Sequence, residues 1–241
     1  MSRNLEIYDG AFIVSDAHYS HKRPEFLNFL QKILFEELNP AQLILTGDIF
    51  DALFGEIPYT HINNKQAIDT LNRISLKIEV IYLEGNHDFN LKDIFPNVKV
   101  FPINAQPVTC TIKDKTLLLS HGDIAGSFTY GAYTSIIRNR AVLSVLKSID
   151  NLSNHFIFKK LDNYLCKKDD CKEFRGFEEF IANRIDAKYT CDYFIEGHFH
   201  QNKKIEFKNF IYINLGAFAC NQRYFIVKSS DDIEFLEKTF S

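Results

Sequence analysis

The chain has 241 residues, 46% of them hydrophobic and 24% charged, with a formal net charge of −3. That length buries a sizeable core, either as one large domain or as a domain with an added subdomain, and the slightly acidic balance argues against a nucleic-acid binder. No apolar run reaches transmembrane length and the opening MSRNLEIYDG lacks a signal-peptide pattern, so a cytoplasmic protein is expected, compatible with peripheral contact at the membrane face.

The predicted elements alternate through the first half. AFIVS (11–15) reads as a buried strand. Pro24 opens a helical stretch with Phe26, Leu27, Leu30, Ile33 and Leu34 at helical spacing. QLILT (42–46) is a second strand, a helix is expected over 62–77, and EVIYLE (79–84) is a third strand. Strand–helix–strand alternation argues for a parallel sheet covered on its faces. Further on, VTCTI (108–112) and TLLLS (116–120) flank Lys113-Asp114-Lys115 and suggest a hairpin. After residue 190 short strands return, and this later half is expected to be mostly antiparallel.

Residues 126–190 stand apart as a helical stretch with apolar Tyr133, Ile136, Ile137, Val142, Leu143, Val145, Leu146 and Ile149. They carry eleven Lys and Arg against eight Asp and Glu, a basic segment on an acidic remainder. A cap over a core of 1–125 and 191–241 and an ordinary helical layer with a solvated face both fit that charge pattern. The five cysteines at 110, 166, 171, 191 and 220 are odd in number and contain no CxxC, so they are expected to be reduced. Twenty-three Phe and eleven Tyr without a Trp place most rings in the core, with a few available to line an apolar groove.

Chemistry concentrates in five polar clusters, each following an apolar run: SDAH (15–18), TGDIFD (46–51), EGNHD (84–88), SHGD (120–123) and EGHFH (196–200). In an open α/β sheet the C-terminal strand ends face a common crevice, so these side chains would converge. Carboxylates and neutral imidazoles suit Mn, Fe or Zn. Asp16 and His18, like His198 and His200, lie two residues apart and share a face if extended. Gly47, Gly85, Gly122 and Gly197 beside them permit tight turns and close backbone approach. A single DxH or HxH carries little weight. Five of the eight histidines (18, 87, 121, 198, 200) fall inside the clusters, however, while 21, 61 and 155 do not, and this favours a metal centre.

In order, the clusters resemble the calcineurin-like metallophosphoesterases, whose pattern is D-x-H, G-D-x-x-D, G-N-H-[DE], a His usually followed by Gly, and G-H-x-H. The resemblance spans Asp16 to His200 and implies an α/β fold, a β-sandwich of two mixed sheets flanked by helices with a helical cap insertion. It implies two divalent metal ions, with Mn favoured. One would be held by Asp16, His18 and His200 and the other by Asn86, His121 and His198, with Asp48 bridging. His87, paired with Asp51, would face the substrate phosphate as general acid, and Asp88 and Asp123 would be loop or outer residues.

Within that family the chain is most similar to the UDP-2,3-diacylglucosamine pyrophosphohydrolases of lipid A synthesis, through GDIFDALFG, HGD, the helical insert, GHFH and NLGAF. That similarity implies cleavage of a membrane-borne UDP-sugar pyrophosphate to UMP and 2,3-diacylglucosamine 1-phosphate under a lid that takes acyl chains. The substrate contacts would be Asn86, His87, Tyr133 and Arg138, with Lys159 and Lys160 as further basic candidates. The chain departs from that group in having His87 where many members carry Arg, and in lacking an acidic pair soon after HGD. A soluble nucleotide phosphodiesterase or broad-specificity phosphatase is the alternative. A non-catalytic scaffold of the same fold would be expected to have lost metal ligands, and all of them are present here.

Overall fold

A computed structural model of the chain describes residues 5–123, 134–165, 167–185, 189–230 and 232–241. Tyr133 and Cys166 lie outside them.

The first sheet-forming run starts at β1 (Leu5–Glu6) and β2 (Phe12–Val14). Helix α1 (Glu25–Leu34) follows, then β3 (Gln42–Leu45), β4 (Leu53–Phe54), α2 (Pro58–Asn63), α3 (Lys65–Ile74) and β5 (Glu79–Leu83). The expected helix over 62–77 is two helices. They meet at buried Asn64, whose amide donates to the carbonyls of Ala52 and Thr60, both at 2.9 Å. Next come β6 (Asp88–Phe89), β7 (Lys99–Phe101) and the hairpin β8 (Val108–Ile112) and β9 (Lys115–Ser120), paired antiparallel as its spacing predicted.

Two six-stranded sheets result, in the orders β1-β8-β9-β10-β12-β11 and β14-β13-β2-β3-β5-β7. The later strands are β10 (Tyr193–Glu196), β11 (Lys203–Glu206), β12 (Ile211–Asn214), β13 (Arg223–Lys228) and β14 (Glu234–Thr239). As expected, most pairings of this half are antiparallel, namely β11–β12, β13–β14 and β13–β2, but β10 pairs parallel with both β9 and β12. Parallel neighbours require a long crossover, and the segment between β9 and β10 supplies it.

Strand alternation explains the layers. Ile13, Ile44 and Ile81 point into the space between the sheets with Leu117, Leu119 and Ile195. Their neighbours Val14, Leu45 and Tyr82 face outward beneath Phe29, Leu30 and Leu71 of α1 and α3. Strands buried on both faces read as continuous apolar runs, which is why no polar alternation marks them in the sequence.

The segment between β9 and β10 contains α4 (Arg140–Leu152), α5 (Phe156–Leu165) and α6 (Phe177–Arg184). Asn139 caps α4 by accepting from the amides of Ala141 and Val142, and Asp150 accepts from Ile157 and Phe158 at the start of α5. Leu143, Phe158 and Leu165 pack on Ala52, Phe54, Ile57 and Phe89. α6 instead covers the first sheet, with Phe177 and Ile181 against Leu118, Phe194 and Tyr212. The apolar positions read along 142–149 are not all core. Leu143 is buried, whereas Val142, Val145 and Ile149 are exposed, as are Leu152 (91%) and Phe156 (63%).

The cysteine reading is also corrected. Cys171 and Cys220 form a disulfide across 49 residues, while Cys110 and Cys191 are free and buried. The short helix α7 (Phe218–Asn221) brings Cys220 to the inserted segment, a juxtaposition that Cys spacing does not encode.

Candidate metal centre

Asp16 follows β2, Asp48 follows β3 and Asn86 follows β5, three adjacent parallel strands of one sheet. His121 follows β9 and His198 follows β10, adjacent parallel strands of the other. All five loops therefore leave their sheets at the same end, and backbone bonds stitch them together. Gly197 N–H donates to His121 O at 2.9 Å and Asp16 N–H to Gly47 O at 3.1 Å. His198 N–H donates to the Asp16 carboxylate at 3.0 and 3.1 Å, joining the two sheets.

Two groups of potential ligands result, Asp16 with His18 and His200, and Asp48 with His121 and His198. Within each, one donor atom per residue lies within 4.8 Å of the others. His200 Nε2 is 3.1 Å from Asp16 Oδ1. His121 Nε2 is 3.4 Å from Asp48 Oδ2 and 3.3 Å from Asn86 Oδ1. The imidazole orientations suit a cation. His121 Nδ1–H donates to Thr46 O at 2.9 Å and His200 Nδ1–H to Asp170 O at 2.5 Å. In both rings this turns the Nε2 lone pair toward the carboxylates. Among the described residues, neither ring nitrogen of buried His18 makes a hydrogen bond, although its Nδ1 lies 3.3 Å from the Asp51 carboxylate. A buried polar group left without a partner is costly, and a cation would satisfy it. The donor set therefore fits two divalent ions.

The convergence of the i, i+2 pairs has a different cause from the one expected. Asp16, His18, Asp48, His198 and His200 all have positive φ, between 45° and 62°. The loops are left-handed turns, not extended segments. Such conformations are uncommon for non-glycine residues and cluster at functional sites. Space is equally constrained, since a Cβ at Gly85 would collide with the Asp48 carboxylate.

Electrostatics follow from burial and pairing. Burial disfavours the charged form of Asp16, but His200 beside it outweighs that and holds the carboxyl down at about 2. Burial likewise opposes protonation of His200, yet Asp16 raises it to about 9. Asp48 is held well below the usual range against its burial, chiefly by His121 and His87. His198, desolvated and beside His121, falls to about 4 and is neutral at pH 7. In the metal-free chain, the proton on His200 therefore stands where a cation would.

Asp51 and His87 join His18 in a third close group, but their pairing differs from the expected one. His87 Nδ1–H donates to the main-chain carbonyl of Asp51 at 2.8 Å. The Asp51 carboxylate lies 3.3 Å from His18 Nδ1 and 3.8 Å from Arg23 Nη1. His87 is lowered by burial, which outweighs the opposing pull of the Asp48 carboxylate. Its own N–H donates to Asp48 Oδ1 at 2.8 Å.

Asp88 does more than shape a turn. Fully buried, it accepts from the amides of Asp48, Ile49, Phe50 and Gly85 and from Tyr82 Oη, which clamps the Asp48 loop to the Asn86 loop. Arg138 donates to Asp123 at 2.7 Å and to Gly85 O at 3.2 Å, and its guanidinium lies 5.7 Å from the Phe89 ring centroid. It braces the loops beside Asn86. Lys159 and Lys160 are exposed, and Lys159 bonds Asn154 O. Arg184 pairs with buried Glu196, reaches Gly122 O at 3.3 Å and lies over Phe199. Neither Arg184 nor Asp170 carries a local sequence signal, because each acts only after a long crossover returns it to the rim.

Relatives and solved structures bear on this geometry. UDP-2,3-diacylglucosamine hydrolase of Chromohalobacter salexigens is 29% identical over 116 residues, 46% of this chain and 46% of that protein. The enzyme of that name from Stenotrophomonas maltophilia is 24% identical over 202 residues, 78% of this chain and 81% of that one. The chain thus spans under half of the first relative's length. In fold it is similar to Yfce, a phosphoesterase from E. coli, with a TM-score of 0.50 and 14% identity over 96% of this chain and 99% of that one. A model of the calcineurin-like phosphoesterase family matches residues 11–202, which open just before Asp16 and close just after His200. The polar loops and the matched span thus coincide, and the chain belongs to the calcineurin-like phosphoesterase family of metal-dependent hydrolases.

Proposed function

We propose that the chain hydrolyses a phosphoester or pyrophosphate at two divalent cations, with Asp16, His18 and His200 on one, Asn86, His121 and His198 on the other, and Asp48 between them. The observation that carries this reading is the pair of buried His/Asp groups at one rim. When bound, two such ions acidify a water and neutralise phosphoryl charge. Mn is the favoured ion, and Fe and Zn are compatible with the same donors.

The protein's own part is positional. The Asp51 carbonyl fixes His87 through Nδ1–H, leaving Nε2 to meet the substrate. Burial keeps His87 largely neutral, and an arriving phosphoryl anion favours its protonation. His87 then donates that proton to the leaving oxygen. Asn86 and His87 contact the phosphate. Arg138 is a less direct candidate, since its guanidinium already serves Asp123 and Gly85.

The substrate we favour is UDP-2,3-diacylglucosamine, cleaved at its pyrophosphate during lipid A synthesis. Two observations support it: the relatives described above carry that name, and the helical insertion exposes an apolar stripe. Val142, Val145, Ile149 and Leu152 recur along one face of α4, with Phe156 beyond, all exposed. We take 126–190 as the cap insertion, of which 134–165 stands against the rim. Such a stripe suits acyl chains or the inner face of the cell membrane. No helix among the described residues is long and apolar enough to cross a membrane; in this reading contact is peripheral, at the cytoplasmic face. A second reading, a soluble nucleotide phosphodiesterase or broad-specificity phosphatase, is favoured by His87. Turnover of UDP-2,3-diacylglucosamine and of an aryl phosphodiester, measured side by side, separates the two. Brisk hydrolysis of the aryl ester with negligible turnover of the lipid would end the lipid reading.

A further inference from the structure

The inserted segment touches the metal centre at a place that neither the stripe nor the motifs mark. Residues 170–174 run beside the GHFH loop and are fastened to it repeatedly. Asp170 O accepts from His200 Nδ1–H at 2.5 Å. Lys172 O accepts from the Gln201 amide at 3.2 Å, and Phe174 N–H donates to Gln201 Oε1 at 2.8 Å. The neighbouring Cys171 is joined to Cys220 on α7. That helix is seated on the same centre, since Phe218 N–H donates to Ser15 O at 2.8 Å and Ala219 N–H to Asp16 O at 3.1 Å. The Asp170 carboxylate is buried and receives Arg23 at 2.5 Å, while the same Arg23 nitrogen lies 3.8 Å from Asp51.

We infer that Asp170, held in place by the Cys171–Cys220 disulfide, is a positioning residue for His200 and thereby sets the affinity of the cation shared by Asp16, His18 and His200. The physical reason is tautomer control. A carbonyl can only accept, so His200 must carry its proton on Nδ1 and present the Nε2 lone pair to the cation. A carbonyl that drifts releases the ring to rotate or to shift to the Nε2–H tautomer, which offers the cation no lone pair there. The disulfide spans the two sides of this cation site: Cys171 adjoins the residue that orients His200, and Cys220 lies on the helix that donates to Asp16. His121 takes its orientation from Thr46 O within the core, so the aim of that ring does not depend on the disulfide. The inference rests on the two-cation reading.

Calorimetric titration with Mn²⁺ tests it. This ion is chosen because soft thiols bind it poorly. The unmodified chain is compared with Cys171→Ser, and with native chain reduced by a phosphine and desalted under argon, where thiol titration verifies cleavage. The expected result is that one equivalent weakens by about 10–100-fold, the usual consequence of losing an outer partner of a metal ligand, while the other is unchanged. In a His200→Ala background, Cys171→Ser should then cause no further weakening. Both equivalents unchanged, with only the melting temperature lowered, would show a plain structural staple and overturn the inference. Additive weakening in the His200→Ala background would overturn it too. Reduction keeps the native sequence, so it decides the matter even if Cys171→Ser folds poorly. A native chain that takes up no Mn²⁺ at all would remove the two-cation reading together with this one.

Discussion

The rim of the two sheets and the helices above it obey opposite rules of burial. At the rim, carboxylates and imidazoles are largely withdrawn from water, with Asp16, His121 and Asp88 fully buried and His198 and His200 partly so. On α4 and α5, large apolar side chains stand in solvent. Buried polar groups persist when hydrogen bonds or a cation satisfy them, and a contiguous apolar face implies something that covers it. In the proposed reading the two divide the labour, the rim doing the chemistry and the insertion selecting what reaches it.

The strongest way to break this picture is at Asp48. Asp48→Ala should reduce metal-dependent turnover by at least about 10³-fold while circular dichroism shows a native fold. Normal turnover in a folded variant would end the two-cation assignment. His87→Ala should lower turnover by about 10²–10⁴-fold, the usual range for a lost acid or base, with both metal equivalents retained in elemental analysis. Loss of both metals would instead show His87 to be part of the ligand framework.

Arg184 tests whether the insertion also supports the rim. Arg184→Met leaves the buried Glu196 carboxylate without its cation, and chemical denaturation should show a loss of about 3–5 kcal/mol. A loss near zero would show Glu196 content with Tyr212, which donates to it at 3.0 Å. A pH titration gives a smaller and graded effect. With Asp16 beside it, His200 holds its proton up to about 9 in the metal-free chain. Below that pH the proton competes with the cation, so affinity should fall as pH falls, by up to about tenfold per unit for one proton. Proton release on metal binding, read in buffers of different ionisation enthalpy, checks the sign. The smallest effect on the fold is expected from the stripe. Val145→Asp with Ile149→Asp should change stability by no more than about 0.5 kcal/mol. It should weaken binding to anionic lipid vesicles by about tenfold per side chain, while hydrolysis of the aryl diester is unaltered. Unchanged vesicle binding would leave the stripe without its proposed role.

Much of the centre was legible in the sequence because each ligand follows its strand directly. An apolar run of four or five residues followed within three residues by Asp, Asn or His is a local signal, and the order of the five runs is a linear one. Asp51 and His87 were placed in one site, but their contact runs through a main-chain carbonyl, which no side-chain motif reports. The helical insertion was readable as a segment, although its outward face was not. Val142, Val145 and Ile149 keep helical spacing whether they face a core or solvent. The disulfide was misjudged for a related reason, since Cys171 and Cys220 meet only after the crossover returns to the sheet.

The sequence by itself thus determined the candidate ligands, the strands that present them and the class of chemistry, because those depend on residue type and short-range periodicity. Only the tertiary structure decided how the ligands are aimed. The left-handed turns at Asp16, His18, Asp48, His198 and His200, the Asp88 clamp on two loops, and the Asp170 carbonyl behind His200 all arise where distant segments meet. Their geometry is set by packing and hydrogen bonding between loops, and those distances in space have no counterpart along the chain.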